Sequence, residues 1–434
     1  MEKFRQTKIE LADVSVYNQI MNKIFQKFDV AVIGGGPAGM MAAGWAAKRG
    51  AKVVLLEKNK TLGKKLLITG KGRCNLTNAQ KDNREFIKKL GLNGPFLFSA
   101  LNAFGPKDAV DFFENLGVKT KVERGGRVFP VSDSAADVLN ALVRFLNAGR
   151  VTVIKEAKIR ELVVEKNLVK KIKLTDSEIE IKKIILATGG LAYPGTGCTG
   201  DGYVWAKKFG HEIIKPTPAL VPILVKEKWV KALEGLSLKN VSIAVYQNNK
   251  KAAEEFGEAL FTDRGLSGPI ILDLSQTVGR NLAKGAVELK INFKPALDWP
   301  ALGLRLQKDF GQNPNKAFKN SLDQLLPKKL ISIFVELSKI AENKKAGQLT
   351  REEKNRLLKL FFGFTLTVDR LDGFEKAIVT AGGVSVKEIN PKTMGSKIIK
   401  NLFFAGEIID LNGPTGGYNL QIAFATGYLA GTSN

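Results

Sequence analysis

The sequence is poor in the residues that form disulfides and bind metals. Its 434 residues include two cysteines, Cys74 and Cys198, and one histidine, His211. Two isolated cysteines cannot build a disulfide framework, which indicates a reducing compartment, so we expect a cytoplasmic protein. There is no C-x-x-C pair, which excludes the dithiol chemistry of disulfide reductases. We also predict no metal site, because these few residues lack the spacing of metal ligands.

Long apolar runs are also missing. No segment reaches the run of about 18 apolar residues that a membrane span requires, so we expect no span. Residues 1–27 lack the apolar core of a signal peptide and carry acidic residues. In this N-terminal extension apolar residues recur at helical spacing, at Leu11, Val14, Tyr17, Ile20 and Ile24. The spacing predicts an amphipathic helix, and a misassigned start codon is the alternative.

Acidic residues are scarce relative to basic ones. The sequence has 42 Asp and Glu against 67 Lys and Arg, a formal net charge of +25. The excess lies mostly in short, scattered lysine clusters, with no basic tail and no basic stretch interleaved with aromatic residues. We favour a solvated lysine-rich surface over a nucleic-acid-binding face, which stays open as an alternative. Steering of an anionic small-molecule substrate fits the same charge.

A dinucleotide-binding pattern stands near the start of the sequence. Phe28 to Ile33 is a short apolar run typical of a buried strand. An Ala-rich, helix-favouring stretch begins after the residues Gly34, Gly35, Gly36, Pro37, Ala38 and Gly39. In this G-x-G-x-x-G pattern Gly34 makes the tight turn, Gly36 lets the backbone approach a pyrophosphate, and Gly39 lets helix and strand pack closely. The helix N-terminus offers N–H groups to the phosphates.

A second predicted strand, at residues 52–56, ends at Glu57. This carboxylate lies 23 positions after Gly34, close to the spacing at which an acidic residue binds ribose hydroxyls. A carboxylate there disfavours a 2′-phosphate, so we expect this site not to hold NADP. The pattern alone does not separate NAD from FAD.

Three later segments favour FAD. Gly63 to Asn78 is dense in glycine, small polar residues and amides, and Lys182 to Gly190 is an apolar strand that ends in residues a flat ring can approach. After Asn401 a strand is predicted to end at Gly406, and a helix to start near Gly417. The positive end of that helix would stabilise the negative charge of a reduced flavin.

Several motifs together resemble a known family. The segments "GKKLLITGKGRCNLTN", "GGLAYPGTGCTGDGY", "FTDRGLSGP" and "LFFAGEIIDLNGPTGGYNLQIAFATG" are similar to those of the BaiN-like, aminoacetone-oxidase-like family of bacterial FAD-dependent flavoproteins. The resemblance runs in order from Phe28 to Gly431. It implies FAD as the cofactor and an α/β fold. In that fold a Rossmann-like FAD-binding domain of the two-dinucleotide-binding type is interrupted by an inserted β-barrel-like and helical domain.

The resemblance also implies which residues bind the cofactor. At the pyrophosphate and adenosine end it assigns Gly34, Gly36, Pro37, Ala38, Gly39, Glu57, Lys58 and a backbone position near Ile159. Around the ribityl chain and the flavin it assigns Lys65, Arg73, Cys74, Asn75, Thr77, Thr188, Gly189, Gly406, Glu407, Gly417, Asn419, Leu420 and Gln421. For Cys74 we favour a small buried filler over a reactive thiol. The catalytic residues stay unassigned.

Four side chains are candidates for the substrate side. Tyrosine can donate a hydrogen bond or a proton, and arginine can bind a carboxylate or carbonyl. The candidates are Arg127, Tyr193, Tyr418 and the single histidine, His211. Ordinary packing is the alternative for each of them, and for His211 we favour a structural role.

The predicted domains are an N-terminal extension (1–27), the first part of the FAD domain (28–195), an insert (196–366) and the second part of the FAD domain (367–434). Strand-like pieces predict a small barrel or sandwich in the insert, at Leu220–Val225, Val241–Tyr246, Ile270–Leu274 and Val287–Phe293. A helical pattern follows over residues 299–360. A second G-x-G-x-x-G, at residues 195–200, lacks a strand–turn–helix context, so we favour a hinge over an NAD-binding domain.

The expected function is that of an FAD-dependent oxidoreductase. It would transfer hydride or electrons through a tightly bound flavin to or from a small organic substrate, and the resemblance points to unsaturated ketones or amines. NADH or NADPH would be a transient electron donor. Two alternatives stay open: a tRNA-modifying flavoprotein, which would explain the charge of +25, and a non-catalytic FAD-binding regulator.

Overall fold

The computed structural model describes residues 25–433. Its strands are β1 (Phe25–Ile33), β2 (Val53–Leu56), β3 (Thr77–Asn78), β4 (Thr120–Glu123), β5 (Arg127–Pro130), β6 (Thr152–Ile154), β7 (Ile159–Glu165), β8 (Leu168–Leu174), β9 (Glu178–Leu186), β10 (Ile213–Ala219), β11 (Ile223–Val225), β12 (Ser237–Gln247), β13 (Lys250–Phe261), β14 (Gly265–Ser267), β15 (Glu288–Asn292), β16 (Phe364–Leu371), β17 (Val379–Val384) and β18 (Leu402–Phe404). Its α-helices are α1 (Pro37–Lys48), α2 (Lys64–Ile68), α3 (Asn83–Lys88), α4 (Phe98–Ala103), α5 (Pro106–Asn115), α6 (Ala135–Ala148), α7 (Asp201–Lys208), α8 (Pro269–Leu282), α9 (Trp299–Gln312), α10 (Phe318–Ser321), α11 (Lys328–Ser338), α12 (Arg351–Phe362) and α13 (Tyr418–Thr432).

The described chain divides into two compact units. Unit 1 contains residues 25–217 and 379–433, and unit 2 contains residues 218–378. The helix predicted for the N-terminal extension lies almost entirely outside the described residues. The last three residues of that extension are not separate from the fold, because β1 begins at Phe25 and pairs with β9 from that residue onward.

A seven-stranded sheet forms the centre of unit 1, in the order β6-β2-β1-β9-β8-β7, with β18 also paired to β9. The strands β6, β2, β1, β9 and β18 run parallel to one another, whereas β7, β8 and the start of β9 pair in antiparallel fashion. All four residues of β2 are apolar and buried, as is typical of a parallel strand that is covered on both faces.

Small residues let α1 and α13 approach each other closely in unit 1. A Cβ atom at Gly427 would lie 2.4 Å from the carbonyl oxygen of Ala38, and one at Gly431 would lie 2.4 Å from that of Ala42. No side chain larger than hydrogen fits at either glycine without moving the helices apart. The contact joins the first helix of the dinucleotide-binding turn to the last helix of the described chain.

Unit 2 contains a closed barrel with the strand order β11-β14-β13-β12-β15-β16. Beside the barrel lie α9 to α12, in the region where the sequence predicts helices. Fully or almost fully buried phenylalanines dominate their shared core, namely Phe310, Phe318, Phe334, Phe361 and Phe364. The barrel that the sequence predicts is therefore present.

Two predictions about these elements were wrong. Ile270–Leu274 lies in helix α8 and not in a strand. Pro269 occupies the first turn of that helix, and the buried residues Ile270, Ile271, Leu274 and Val278 recur at helical spacing. The second part of the FAD domain was expected to begin at residue 367, but β16 (Phe364–Leu371) pairs with β11 and β15 in the barrel of unit 2. No helix among residues 25–433 is both long and apolar enough to cross a membrane.

Candidate cofactor site

The glycine-rich turn between β1 and α1 is packed tightly at two positions and open at a third. A Cβ atom at Gly34, where φ is +109°, would lie 2.3 Å from the carbonyl oxygen of Ala187, and a Cβ at Gly39 would lie 1.8 Å from that of Gly34. At Gly36 a Cβ would meet no atom within 4 Å. Gly36 is the N-cap of α1, and Pro37 follows it. The first-turn N–H groups of a helix lack acceptors within that helix, so the turn leaves an open cradle lined by N–H groups.

Glu57, at the end of β2, faces the same turn. Its side chain is buried, with 7% of the residue exposed. Oε2 accepts a hydrogen bond from the Gly35 N–H at 2.7 Å, and Oε1 accepts from the backbone and side-chain nitrogens of Asn59, both at 2.7 Å. These bonds fix the carboxylate beside the turn, and its remaining lone pairs can accept further hydrogen bonds. Asn59 was not predicted as a site residue, and no motif identifies it.

The second G-x-G-x-x-G segment, residues 195–200, lies against the residues that follow Glu57. Asn59 Nδ2 donates to the carbonyl oxygen of Thr196 at 3.0 Å, and Lys58 Nζ lies 2.7 Å from Asp201 Oδ2. Lys58 also donates to Thr199 Oγ1. This segment belongs to unit 1, whose boundary comes later, after residue 217. The hinge that we expected at residues 195–200 is therefore not where the compact units divide.

A partly buried charge pair joins two of the segments that carry the family motifs, one near the start of the chain and one near its end. Lys65 Nζ lies 2.7 Å from Glu407 Oε2, and both side chains are 19% exposed. Glu407 Oε1 accepts from the backbone N–H of Thr380 at 2.9 Å, and the Thr380 hydroxyl accepts from the N–H of Leu191 at 2.8 Å. Gly190 packs against both Thr380 and Glu407, since a Cβ there would be 2.3 Å from Thr380 Oγ1 and 2.9 Å from Glu407 Oε1. Thr380 was missed because its segment carries no motif.

Close to the pair of Lys65 and Glu407, one buried hydroxyl group has no hydrogen-bond partner among the described residues. Thr188 Oγ1 is that atom; a Cβ at Gly202 would lie 2.2 Å from it. The neighbouring Gly189 has φ +72°, and a Cβ there would lie 2.9 Å from Cys198 Sγ. Burial raises the pKa of Cys198, and burial likewise raises the pKa of the nearby Tyr203, whose hydroxyl lies 3.4 Å from the Glu407 carbonyl oxygen.

The N-terminus of α13 packs on β3. Gly417, its N-cap with φ +97°, allows the helix to start where a Cβ would lie 2.3 Å from the Thr77 backbone. With its side-chain amide turned by 180°, the orientation that satisfies its neighbours, Asn75 accepts the Gly417 N–H at 3.0 Å through Oδ1. The Thr77 hydroxyl donates to Gln421 Oε1 at 2.8 Å, and both side chains are fully buried. Four predicted flavin-side residues therefore lie together at one helix terminus.

Other predicted flavin-side residues have structural partners. Asn419 bonds the loop before α13, with Nδ2 2.9 Å from the Gly413 carbonyl oxygen, and Leu420 is half-buried. Gly406 has φ +78°, and a Cβ there would lie 2.8 Å from Ala38 Cβ. At the predicted adenosine end, Ile159 begins β7 and pairs with Leu174.

Arg73 and Cys74 do not present free functional groups to this site. The Arg73 guanidinium pairs with Glu123 and, at 2.7 Å, with Asp133, and it lies 4.1 Å from the Phe129 ring centroid. The Cys74 side chain is fully buried, and burial raises the pKa of its thiol to about 12. This agrees with the filler role favoured for Cys74, and both cysteines are free thiols.

The four substrate-side candidates fall in different places. Arg127 is exposed, whereas Tyr418 is buried with its ring 4.6 Å from that of Phe86. Tyr193 is half-buried with φ +53°. The side chain of His211 is completely buried, and its ring nitrogens contact Glu388 and Ser396 at 3.1 and 2.8 Å. His211 is thus not available to a substrate in this arrangement, and burial lowers its pKa.

Among residues 25–433 no group of three or more His, Cys, Asp or Glu side chains is placed to hold a metal ion. The site described above consists of a backbone cradle, carboxylates and helix termini. These features, with the parallel sheet, define a dinucleotide-binding flavoprotein fold. The chain belongs to the HI0933-like Rossmann-domain family, whose model matches residues 28–433.

Curated relatives agree with this class. The chain is 34% identical over 406 residues to the 3-dehydro-bile acid delta(4,6)-reductase of Clostridium scindens. The match covers 93% of this chain and 98% of that protein. It is 29% identical over 403 residues to the ribosomal RNA dihydrouridine synthase of Escherichia coli, covering 93% and 97%. The family and these relatives make the protein an FAD-dependent oxidoreductase.

Solved structures show the same fold. Quinol fumarate reductase FrdA of E. coli matches with a TM-score of 0.50 at 15% identity, over 94% of this chain and 70% of that one. The 3-ketosteroid delta1-dehydrogenase of Sterolibacterium denitrificans matches with a TM-score of 0.50 at 13% identity, over 94% and 99%. At these identities the likeness concerns the fold alone.

The residues present fit FAD. The open position at Gly36 beside the N-terminus of α1 suits a diphosphate, and the buried Glu57 carboxylate suits a donor such as a ribose hydroxyl. The unpartnered Thr188 hydroxyl supplies a further hydrogen-bonding group. A helix N-terminus at Gly417 suits the electron-rich edge of a flavin.

Proposed function

We propose that this protein is an FAD-dependent reductase that saturates a carbon–carbon double bond conjugated to a carbonyl group. Two relatives of nearly full coverage support the proposal: one is named a delta(4,6)-reductase of 3-dehydro-bile acids, the other a dihydrouridine synthase. A 3-oxo steroid with a 4,6-diene and a uracil ring both carry a C=C bond polarised by a carbonyl. This shared chemistry supports the unsaturated-ketone class rather than the amine class.

The observation that carries the proposal is the N-terminus of α13 at Gly417, held against Thr77 and Asn75. When bound, FAD would supply the two reducing electrons. First-turn N–H groups of α13 would stabilise negative charge at the flavin edge, because they lie at the positive end of a 15-residue helix. This placement would orient the ring. Saturation of the double bond takes a hydride from the reduced flavin and one proton, which water would supply.

The remaining site residues would bind and orient the cofactor. The α1 N-terminus at Gly36 would hold the pyrophosphate, and Glu57 would accept from the adenosine ribose. Glu407, fixed by Lys65 and Thr380, would accept from the ribityl hydroxyls. Each of these groups is held by the chain itself, so little reorganisation is needed on binding.

The source of the electrons completes the proposal, and we propose a transient nicotinamide, NADH or NADPH. The test is an anaerobic titration of the holoprotein with each nucleotide while the flavin absorbance is followed, and then addition of a 4-ene-3-oxo steroid. Bleaching by a nucleotide and recovery on adding the enone would support the proposal. Oxygen consumption with an amine substrate, and no reoxidation by the enone, would point to an oxidase. A flavin that no donor reduces would indicate a regulator.

A second candidate function is reduction of uridine in RNA. The formal charge of +25 and the ribosomal RNA dihydrouridine synthases of E. coli and Haemophilus influenzae among the relatives favour it. The test is to incubate the holoprotein and reduced nucleotide with ribosomal RNA and, separately, with transfer RNA. Dihydrouridine is then measured by mass spectrometry of the nucleosides. Its formation in one RNA would select RNA over a free small molecule and identify the RNA class.

A further inference from the structure

The hairpin of β4 and β5 is attached to the candidate flavin side of unit 1. Asn78 Nδ2 donates to the Gly125 carbonyl oxygen at the hairpin tip, 3.0 Å away, and to that of Gly416 at 3.1 Å. Gly416 immediately precedes the N-cap of α13. The Ala79 N–H also donates to the Gly126 carbonyl oxygen at 2.7 Å. One asparagine thus places the tip of the hairpin beside the loop that begins the last helix.

Two arginines at this tip form no ion pair among the described residues. Arg124 and Arg127 flank Gly125 and Gly126, both arginines are exposed, and neither forms an ion pair with a carboxylate of residues 25–433. The Arg127 Nε–H donates to the Arg124 carbonyl oxygen at 3.0 Å. The Arg127 guanidinium also lies 5.9 Å from the Phe129 ring centroid. These contacts orient Arg127 and leave its outer N–H groups available.

The nearby carboxylates are used by other cations. Glu123 stands opposite Arg127 in the register of the hairpin but pairs with Arg73. Asp133 pairs with Arg73 and with Lys121, both at 2.7 Å. The carboxylates of this region therefore form their ion pairs with Arg73 and Lys121, and the hairpin tip presents two exposed guanidinium groups that have no ion pair among the described residues. Guanidinium groups bind carboxylate and phosphate oxygens with matched geometry.

We propose that Arg124 and Arg127 bind an oxyanion group, a carboxylate or a phosphate, on the substrate and so determine specificity at the entrance to the site. The inference rests on the proposed function, because it takes the α13 N-terminus to be the flavin side. It assigns these arginines no part in the chemical step or in binding FAD. The anion can belong to a small molecule or to a polynucleotide, and the test separates the two.

The test measures binding of defined probes to oxidised holoprotein carrying Arg124→Gln or Arg127→Gln. The first probe pair is a 4-ene-3-oxo steroid carboxylic acid and its methyl ester, followed by perturbation of the flavin absorbance. The second probe is a fluorescein-labelled oligouridylate, followed by fluorescence polarisation. Arg49→Gln is the matched control, since Arg49 is an exposed arginine at the far end of α1 with no ion pair among the described residues.

We expect each hairpin substitution to weaken binding of the anionic probe about fivefold, the effect of losing one exposed charge pair. Added salt should weaken wild-type binding of that probe and have less effect in the variants. Loss of the preference for the acid over its ester would identify a small carboxylate, and loss of oligouridylate binding alone would identify a phosphate. FAD content should stay unchanged in both variants.

Three outcomes would overturn the proposal: wild-type affinity of both variants for both probes, an equal loss in Arg49→Gln, or a loss of bound FAD. The fate of the proposed function is read separately, from reoxidation of the reduced flavin by the enone. If the probes bind in an arginine-dependent manner and no enone is ever reduced, the anion subsite stands and the reductase proposal fails.

Discussion

Gly36 provides the sharpest test of the cofactor cradle. Because a Cβ there would meet no atom within 4 Å and its φ is −80°, Gly36→Ala should leave the apoprotein folded. Ala is a poorer N-cap than Gly, which costs the helix about 1 kcal/mol at most. In the holoprotein the same methyl group would occupy the space that we assign to the pyrophosphate. A steric penalty of about 2 kcal/mol corresponds to roughly 30-fold weaker FAD binding.

Substitution of Gly39 should lower the stability of the apoprotein, whereas substitution of Gly36 should lower only its affinity for FAD. A Cβ at Gly39 would lie 1.8 Å from a backbone oxygen, so Gly39→Ala should destabilise the apoprotein itself by about 3 kcal/mol or more. The assay combines thermal unfolding of each apoprotein by circular dichroism with titration of FAD by fluorescence quenching. Gly36→Ser controls for the helix cap, since serine is a preferred N-cap but still carries a Cβ. Wild-type FAD affinity in both Gly36 variants would refute the assignment of the cradle.

Three further predictions concern buried groups. Cys74 and Cys198 should resist alkylation in the folded protein and react fully in denaturant, because burial raises the pKa of both thiols; rapid labelling of Cys74 in native protein would contradict this. Glu407→Gln should weaken FAD binding and lower the free energy of unfolding of the apoprotein by about 1–3 kcal/mol, as it removes the charge partner of Lys65; equal unfolding midpoints would refute it. Burial lowers the pKa of His211 below its ordinary 6.5, so the unfolded chain binds a proton that the folded protein does not, and stability should fall as the pH drops below 6.5. The ring C–H resonances of the single histidine in proton NMR report this pKa directly, and His211→Gln should remove that part of the acid sensitivity.

The dinucleotide-binding turn could be predicted from the sequence because its determinants are local. Gly34, Gly36 and Gly39 lie within one turn between a strand and a helix, and each has a distinct steric requirement. The secondary structure around α8 was harder to predict, since a short apolar run such as Ile270–Leu274 suits a strand as well as a buried helix. The position of Pro269 was the signal that could have separated them.

Long-range partners of the site could not be predicted in this way. The charge pair of Lys65 and Glu407 joins residues 342 positions apart, and neither position specifies the other. Thr380, which bonds Glu407, has no motif around it at all. The partners that occupy Arg73 and His211 likewise come from distant segments, Glu123 and Asp133 for the first and Glu388 and Ser396 for the second. Such contacts depend on the tertiary arrangement and leave no trace in local periodicity.

The pairing of β18 with β9 has a consequence for the order in which the protein can be built. Leu402–Phe404 pairs with Ile184–Leu186, and the whole of unit 2 is synthesised between these two strands. During synthesis the C-terminal half of β9 therefore lacks this neighbour, and an unpaired apolar strand edge invites association with other chains. Unit 2, whose residues are continuous in sequence, can form its barrel before unit 1 has received its last strand and helix. On the cofactor assignment proposed above, the contacts between FAD and the N-terminus of α13 would form only after translation has passed Gly417.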